Sequence, residues 1–134
     1  MERQMKNRFV LIDDDPVYRT ILLRAATMEG FDIAVYESLM DLGSIGMLGR
    51  YDAAIVDYDL GNINGVEIAE YLSALFGDIP MVLVSEHSRS PGEKVWPSSI
   101  KKFIRKSEGY SHTLQEAKKF ADLRPKKVVG TNAN

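Results

Sequence analysis

The 134-residue sequence contains no cysteine, one tryptophan and two histidines. Without thiols there are no disulfides and no thiolate metal sites, which fits a cytoplasmic setting. His87 and His112 lack metal-ligand spacing and are read as surface residues with no acidic partner nearby in sequence. No apolar run approaches the ~20 residues that a membrane helix requires. The polar start, Met1 to Arg8, does not resemble a signal peptide. A soluble protein without membrane association is expected. Its 45% apolar and 27% charged residues are ordinary for a globular chain of one domain's length.

Charge is unevenly spread. The net charge of −2 conceals 7 Lys/Arg against 15 Asp/Glu in residues 1–90, and 10 against 4 in residues 91–134. The basic residues are scattered over a strand edge, a helix and the tail, with no interleaved stacking aromatics, so direct nucleic-acid binding is not expected.

Five short apolar segments recur along the chain. Phe9-Val10-Leu11-Ile12, Ala53-Ala54-Ile55-Val56 and Met81-Val82-Leu83-Val84 read as strands buried on both faces. Ile33 to Tyr36 and Ile100 to Arg105 supply two more. Between them lie helical patterns. Pro16 opens a helix that runs to Gly30 with Val17, Ile21, Leu22, Ala25 and Met28 as its apolar face. Ser38 opens a weaker one with Leu39, Leu42 and Ile45, interrupted by Gly43, Gly46 and Gly49. Asn64-Gly65-Val66-Glu67 starts a third, with Val66, Ala69, Leu72 and Phe76 on one face. Ser90-Pro91-Gly92-Glu93 begins a fourth that Pro97, just after Trp96, limits to less than two turns. The last starts around Ser111 or Thr113, with Thr113 to Glu116 as a capping box and Leu114, Ala117 and Ala121 buried. This alternation predicts an α/β fold, a doubly wound five-stranded parallel sheet with helices on both faces and a short fourth helix. Residues 1–7 are expected to be a flexible start, 8–123 the folded domain and 124–134 a basic, disordered tail or linker.

In a parallel sheet the strand exits share one edge, where ligands bind. Here the exits carry Asp13 and Asp14, Asp57, Ser85 and Lys106. Three carboxylates brought together repel one another unless a hard cation sits among them, and oxygen-only ligands select Mg2+ or Mn2+. Mg2+ commonly shares its coordination with phosphate oxygens, so a phosphoryl group is the natural second ligand. Lys106 and Ser85 are placed to hold its oxygens, and Asp57 to attack phosphorus.

Asp13-Asp14, Asp57 with Leu60, Gly65 and Glu67, Ser85, and Lys106 together resemble the receiver domain of bacterial two-component response regulators, from Phe9 to about Leu123. The resemblance implies a flavodoxin-like sheet of order 2-1-3-4-5 and a phosphorelay function rather than enzymatic turnover. It implies Asp57 as phosphoacceptor, with Asp13, Asp14, Asp57 and the main-chain carbonyl of Asp59 as metal ligands. Ser85 is implied as the hydroxyl that follows the phosphoryl group, Lys106 as its cationic partner, and Phe103, with Ser85, as the switch. It further implies a histidine kinase or histidine phosphotransfer protein as donor, and a downstream protein or fused effector domain as output through strands 4 and 5 and helices 4 and 5. The chain is expected to be a stand-alone receiver or a piece of a longer protein.

Several positions depart from the family pattern. Ser107 stands where Pro usually follows the lysine, leaving its aim without the usual cis peptide. Glu86 replaces a small residue beside the phosphoryl site, Gly61 stands where Pro is common, and Ser99-Ile100 replaces a Gly-Ala turn. Three other readings compete. One is a degenerate receiver that acts as an interaction module without phosphorylation. Another is a haloacid-dehalogenase-type Mg2+ phosphatase, suggested by Asp57-Tyr58-Asp59, although that family places the motif on its first strand. The third is a flavodoxin-type cofactor binder, disfavoured by the acidic first loop.

Overall fold

The four-residue apolar runs are strands, as their shortness and lack of alternation require. The computed structural model describes residues 7–42, 51–60, 63–76, 79–86 and 96–124. Along them run β1 (Arg8–Ile12), α1 (Pro16–Met28), β2 (Asp32–Tyr36), β3 (Ala53–Asp57), β4 (Asp59–Leu60), β5 (Ile63–Asn64), α2 (Gly65–Phe76), β6 (Met81–Ser85), β7 (Ile100–Arg105) and α3 (Tyr110–Leu123). Five strands form a parallel sheet in the order β2-β1-β3-β6-β7. Counted among the sheet's own members, that is the expected 2-1-3-4-5. The two-residue strands β4 and β5 pair separately as a small antiparallel ribbon.

Because successive strand residues point to opposite faces, each apolar run feeds two cores. Val10, Ile12, Ala54, Val56, Met81 and Leu83 pack with Ile68, Ala69 and Leu72 of α2. Phe9, Leu11, Ile55, Val82, Val84 and Ile104 pack on the other face with Leu22 and Ala26 of α1 and Leu114 and Ala117 of α3. Helices therefore cover both faces, which makes the fold doubly wound.

The structure corrects three local readings. On α1 the buried stripe is Tyr18, Leu22 and Ala26, whereas Val17, Ile21 and Met28 are exposed. Two adjacent four-residue stripes on this helix are both largely apolar, and composition does not say which one faces the sheet. The helix start is as read: Pro16 is the first residue, and the Asp15 carboxylate accepts the Val17 N–H at 2.9 Å. The last helix begins at Tyr110, one residue before Ser111, so Thr113 is not its cap. A 3-10 turn, Lys106–Glu108, leads to Gly109 at φ +104, and that backbone conformation, open to glycine, launches the helix. Thr113 is thereby buried one turn inside, its hydroxyl donating to the Gly109 carbonyl at 3.2 Å rather than capping. Finally, His112 has an acidic neighbour, with Nε2 3.4 Å from Glu108 Oε1, because the 3-10 turn places Glu108 beside the first turn of the last helix.

Ser38 opens a 3-10 turn at Met40–Leu42, its hydroxyl accepting the Asp41 N–H at 3.3 Å. The rest of that expected helix, the short fourth helix between Pro91 and Trp96, His87, and the tail from Pro125 lie outside the described residues.

Candidate functional site

The edge where the parallel strands end collects the charged residues. Asp13 follows β1, and its N–H continues the ladder to the Tyr36 carbonyl at 3.0 Å. Its Oδ1 accepts the Asp15 N–H at 2.8 Å, and the Arg19 guanidinium donates to its carbonyl at 2.9 Å. These bonds fix the carboxylate with no exposed surface. Asp57 and Ser85 are the last residues of β3 and β6, and both are buried. Asp14 is exposed. Ligand oxygens of Asp13, Asp14 and Asp57 lie within 4.8 Å of one another.

Lys106 comes from the other side. The turn after β7 is held by Glu108, whose carboxylate accepts the Arg105 N–H at 2.9 Å. That bond holds the Glu108 carboxyl below its usual range. With the turn closed, the lysine points inward across a trans peptide, since no cis bond occurs among the described residues. Its side chain is 9% exposed, with Nζ 2.8 Å from Asp13 Oδ2 and 3.8 Å from Asp57 Oδ1. The turn that carries Lys106 and Ser107 is thus closed by the Glu108 carboxylate.

One buried cation against this many carboxylates leaves the site short of positive charge. Burial first, and the Asp13 charge second, push the Asp57 carboxyl up to about 7 despite Lys106. Burial likewise raises Asp13, with the bond to Lys106 only partly offsetting it. For Lys106, burial pulls the ammonium down, but the bond to Asp13 and the charges of Asp13 and Asp57 outweigh it and hold it above its ordinary value. A cation among the three carboxylates would favour their ionised forms against this burial. The donors are all oxygen, so the residues present fit Mg2+ or Mn2+.

Around this centre, the Asp59 side chain is exposed and its residue begins the β4 ribbon, two places after Asp57. Phe103 on β7 is half-buried, its ring 6.0 Å from Tyr58 and 5.9 Å from Trp96. A cleft of about 340 Å³ lined by Asp14, Glu37, Asp41, Leu39 and Leu60 shares only Asp14 with the acid cluster. Sequence reasoning missed Tyr18. It is 4% exposed, and its ring centroid lies 4.4 Å from Lys106 Nζ. The signal was the spacing Tyr18, Leu22, Ala26 on α1.

Glu86 directly follows Ser85 and is exposed, yet its charge adds a small upward contribution to Lys106. Glu86→Ala is therefore expected to speed phosphorylation from a small anionic donor about two- to fivefold at low salt, the range of an exposed charge pair. The gain should shrink towards nothing at 0.5 M salt. Equal rates at all salt concentrations would mean that the side chain does not act on the site.

The response regulator receiver domain family matches residues 9–118. The regulatory protein VirG of Rhizobium rhizogenes is 28% identical over 86 residues, 64% of this chain and 35% of that protein. The chain thus spans about a third of the length of this curated relative. Among solved structures, the response regulator TrrA of Thermotoga maritima, in complex with Mg2+-BeF, aligns with a TM-score of 0.71 at 25% identity, covering 87% of this chain and 99% of that one. A CheY-like receiver domain protein of Methanospirillum hungatei aligns with a TM-score of 0.70 at 16% identity, over 89% and 96% of the two chains, and shares the fold.

Proposed function

Since the chain belongs to the response regulator receiver domain family, we propose that it acts in a two-component phosphorelay by accepting a phosphoryl group on Asp57. The donor is the phosphohistidine of a sensor kinase or of a histidine phosphotransfer protein. The observation that carries this reading is the Asp57 carboxyl at a strand exit, buried, raised to about 7, and 3.8 Å from the Lys106 ammonium.

In the transfer, an ionised Asp57 oxygen forms a bond to phosphorus as the phosphorus–nitrogen bond of the donor imidazole breaks. The departing nitrogen keeps the bonding pair and takes up a proton from water. Asp13, Asp14, Asp57 and the Asp59 main-chain carbonyl would hold Mg2+ or Mn2+, which supplies charge for the phosphoryl oxygens and favours ionised Asp57. Lys106 moves its ammonium from Asp13 towards the new phosphoryl oxygen, and the Ser85 hydroxyl donates to another. Phe103 responds with Ser85 and changes the surface formed by β6, β7 and α3, where a downstream protein or a fused effector domain reads the state. Residues 8–123 act as the receiver, in the cytoplasm and without direct nucleic-acid contact. The domain assists only its own phosphorylation and dephosphorylation. No described helix is long and apolar enough to cross a membrane.

Incubation with a small phosphodonor and Mg2+ should add one phosphoryl group to the intact mass of the wild type, and none in the presence of a chelator. Labelling unchanged by chelator would remove the metal-dependent mechanism. No labelling under either condition would favour the degenerate receiver.

A further inference from the structure

Tyr18 lies on the helix that follows the Asp13-Asp14 loop and takes no part in the chemistry above. Its ring is nevertheless buried beneath Lys106, with the ammonium nitrogen 4.4 Å from the centroid. The ring of Tyr110, at the start of α3, packs against it at 5.2 Å and a 37° tilt. The buried ring of α1 is thus packed against α3. Lys106 meets Asp13 and Asp57 on one flank and this aromatic face on another.

An aromatic face attracts a cation through its quadrupole, most strongly where water is excluded, but it forms no directional bond and adds no net charge. A third carboxylate in this place would deepen the charge imbalance, and a hydrogen-bond acceptor would tie the ammonium to one position. Lys106 must exchange one partner for another if it is to meet a phosphoryl oxygen, and its flexible stem gives it no preferred direction. We infer that Tyr18 is a positioning residue for Lys106, an uncharged floor over which the ammonium shifts from Asp13 to a phosphoryl group on Asp57. The inference rests on the reading of Asp57 as phosphoacceptor.

The test compares wild type, Tyr18→Phe, Tyr18→Met, Lys106→Met and the Tyr18→Met/Lys106→Met pair, with thermal unfolding recorded for each. The first readout needs neither phosphorylation nor metal. The Lys106 ε-methylene protons should be shifted upfield by the ring in the wild type and in Tyr18→Phe, and lie at ordinary positions in Tyr18→Met. The second is the rate of phosphorylation by a small phosphodonor with saturating Mg2+. Tyr18→Met should be about three- to tenfold slower, the effect of losing a partly desolvated cation–π contact. Tyr18→Phe should restore the rate to within about twofold, because the ring and not the hydroxyl acts. In the Lys106→Met background the Tyr18 substitution should change nothing further. Unshifted Lys106 signals in the wild type, or an equal slowing with and without Lys106, would overturn the inference while leaving the phosphoacceptor reading intact. A wild type that is never labelled would overturn that reading, and the role for Tyr18 with it.

Discussion

Asp57→Asn is expected to stabilise the metal-free protein at pH 8 by about 2–4 kcal/mol, an unusual outcome for a buried polar substitution. The carboxyl is raised to about 7 mainly by burial and by the neighbouring Asp13 charge, so its ionised form costs the folded state more than the unfolded one. The sign follows from proton counting. A group whose folded value lies above its unfolded value gives stability that is complete below about pH 4 and is lost as pH rises through about 7. Asparagine keeps the shape and removes the ionisation. The two proteins should thus differ little at pH 4, diverge as pH rises and run parallel above about pH 8. Denaturant unfolding in chelator across this range measures the difference. Added Mg2+ should then close the gap by stabilising the wild type selectively, in proportion to the logarithm of its concentration above the dissociation constant. Equal stability of the two proteins at pH 8 in chelator would mean that the acid cluster is relieved in some other way.

Lys106→Met is expected to act in the opposite direction, destabilising the metal-free protein by about 2–4 kcal/mol at pH 8. The ammonium is the cation within 2.8 Å of the fully buried Asp13 carboxylate and 3.8 Å from Asp57. Methionine fills the space of the stem but leaves both acids without it. Because the carboxyls can take up protons instead of remaining charged, the loss should be smaller at pH 5 than at pH 8. The phosphorylation rate should fall by roughly a hundredfold, the order found when a preorganised group facing developing charge is removed. Asp57→Asn introduced into Lys106→Met should recover stability at pH 8, since the two residues share one electrostatic network. Strictly additive effects would show that they do not interact.

The strands and the sheet order were legible in the sequence for different reasons. Runs such as Ala53 to Val56 show burial on both faces directly, because a half-buried strand would alternate. The order came only through the family resemblance, because periodicity carries no information about which strands are neighbours. That Asp13, Asp14, Asp57 and Lys106 would meet was legible from their places at strand exits, because parallel strands bring their exits to one edge, although each charge taken alone also suits a turn or helix cap. The α1 stripe was not. Val17 and Ile21 are as apolar as their neighbours, and only the packed sheet selects Tyr18, Leu22 and Ala26. The origin of α3 depends on Gly109 at positive φ, a backbone conformation that the capping pattern at Thr113 obscured. The bond that closes the turn carrying Lys106, from the Arg105 N–H to the Glu108 carboxylate, joins a strand end to a turn and has no signature in either segment alone.

Locating the modified atom is the most direct test of the phosphoacceptor claim. The protein is treated with a small phosphodonor and Mg2+, reduced with borohydride, digested and sequenced by tandem mass spectrometry. Borohydride converts an aspartyl phosphate to homoserine and leaves ionised carboxylates untouched. The account predicts homoserine at position 57 alone, dependent on Mg2+. Homoserine at Asp13, Asp14 or Asp59, or an unmodified Asp57 in a protein that has gained a phosphoryl group, would contradict it.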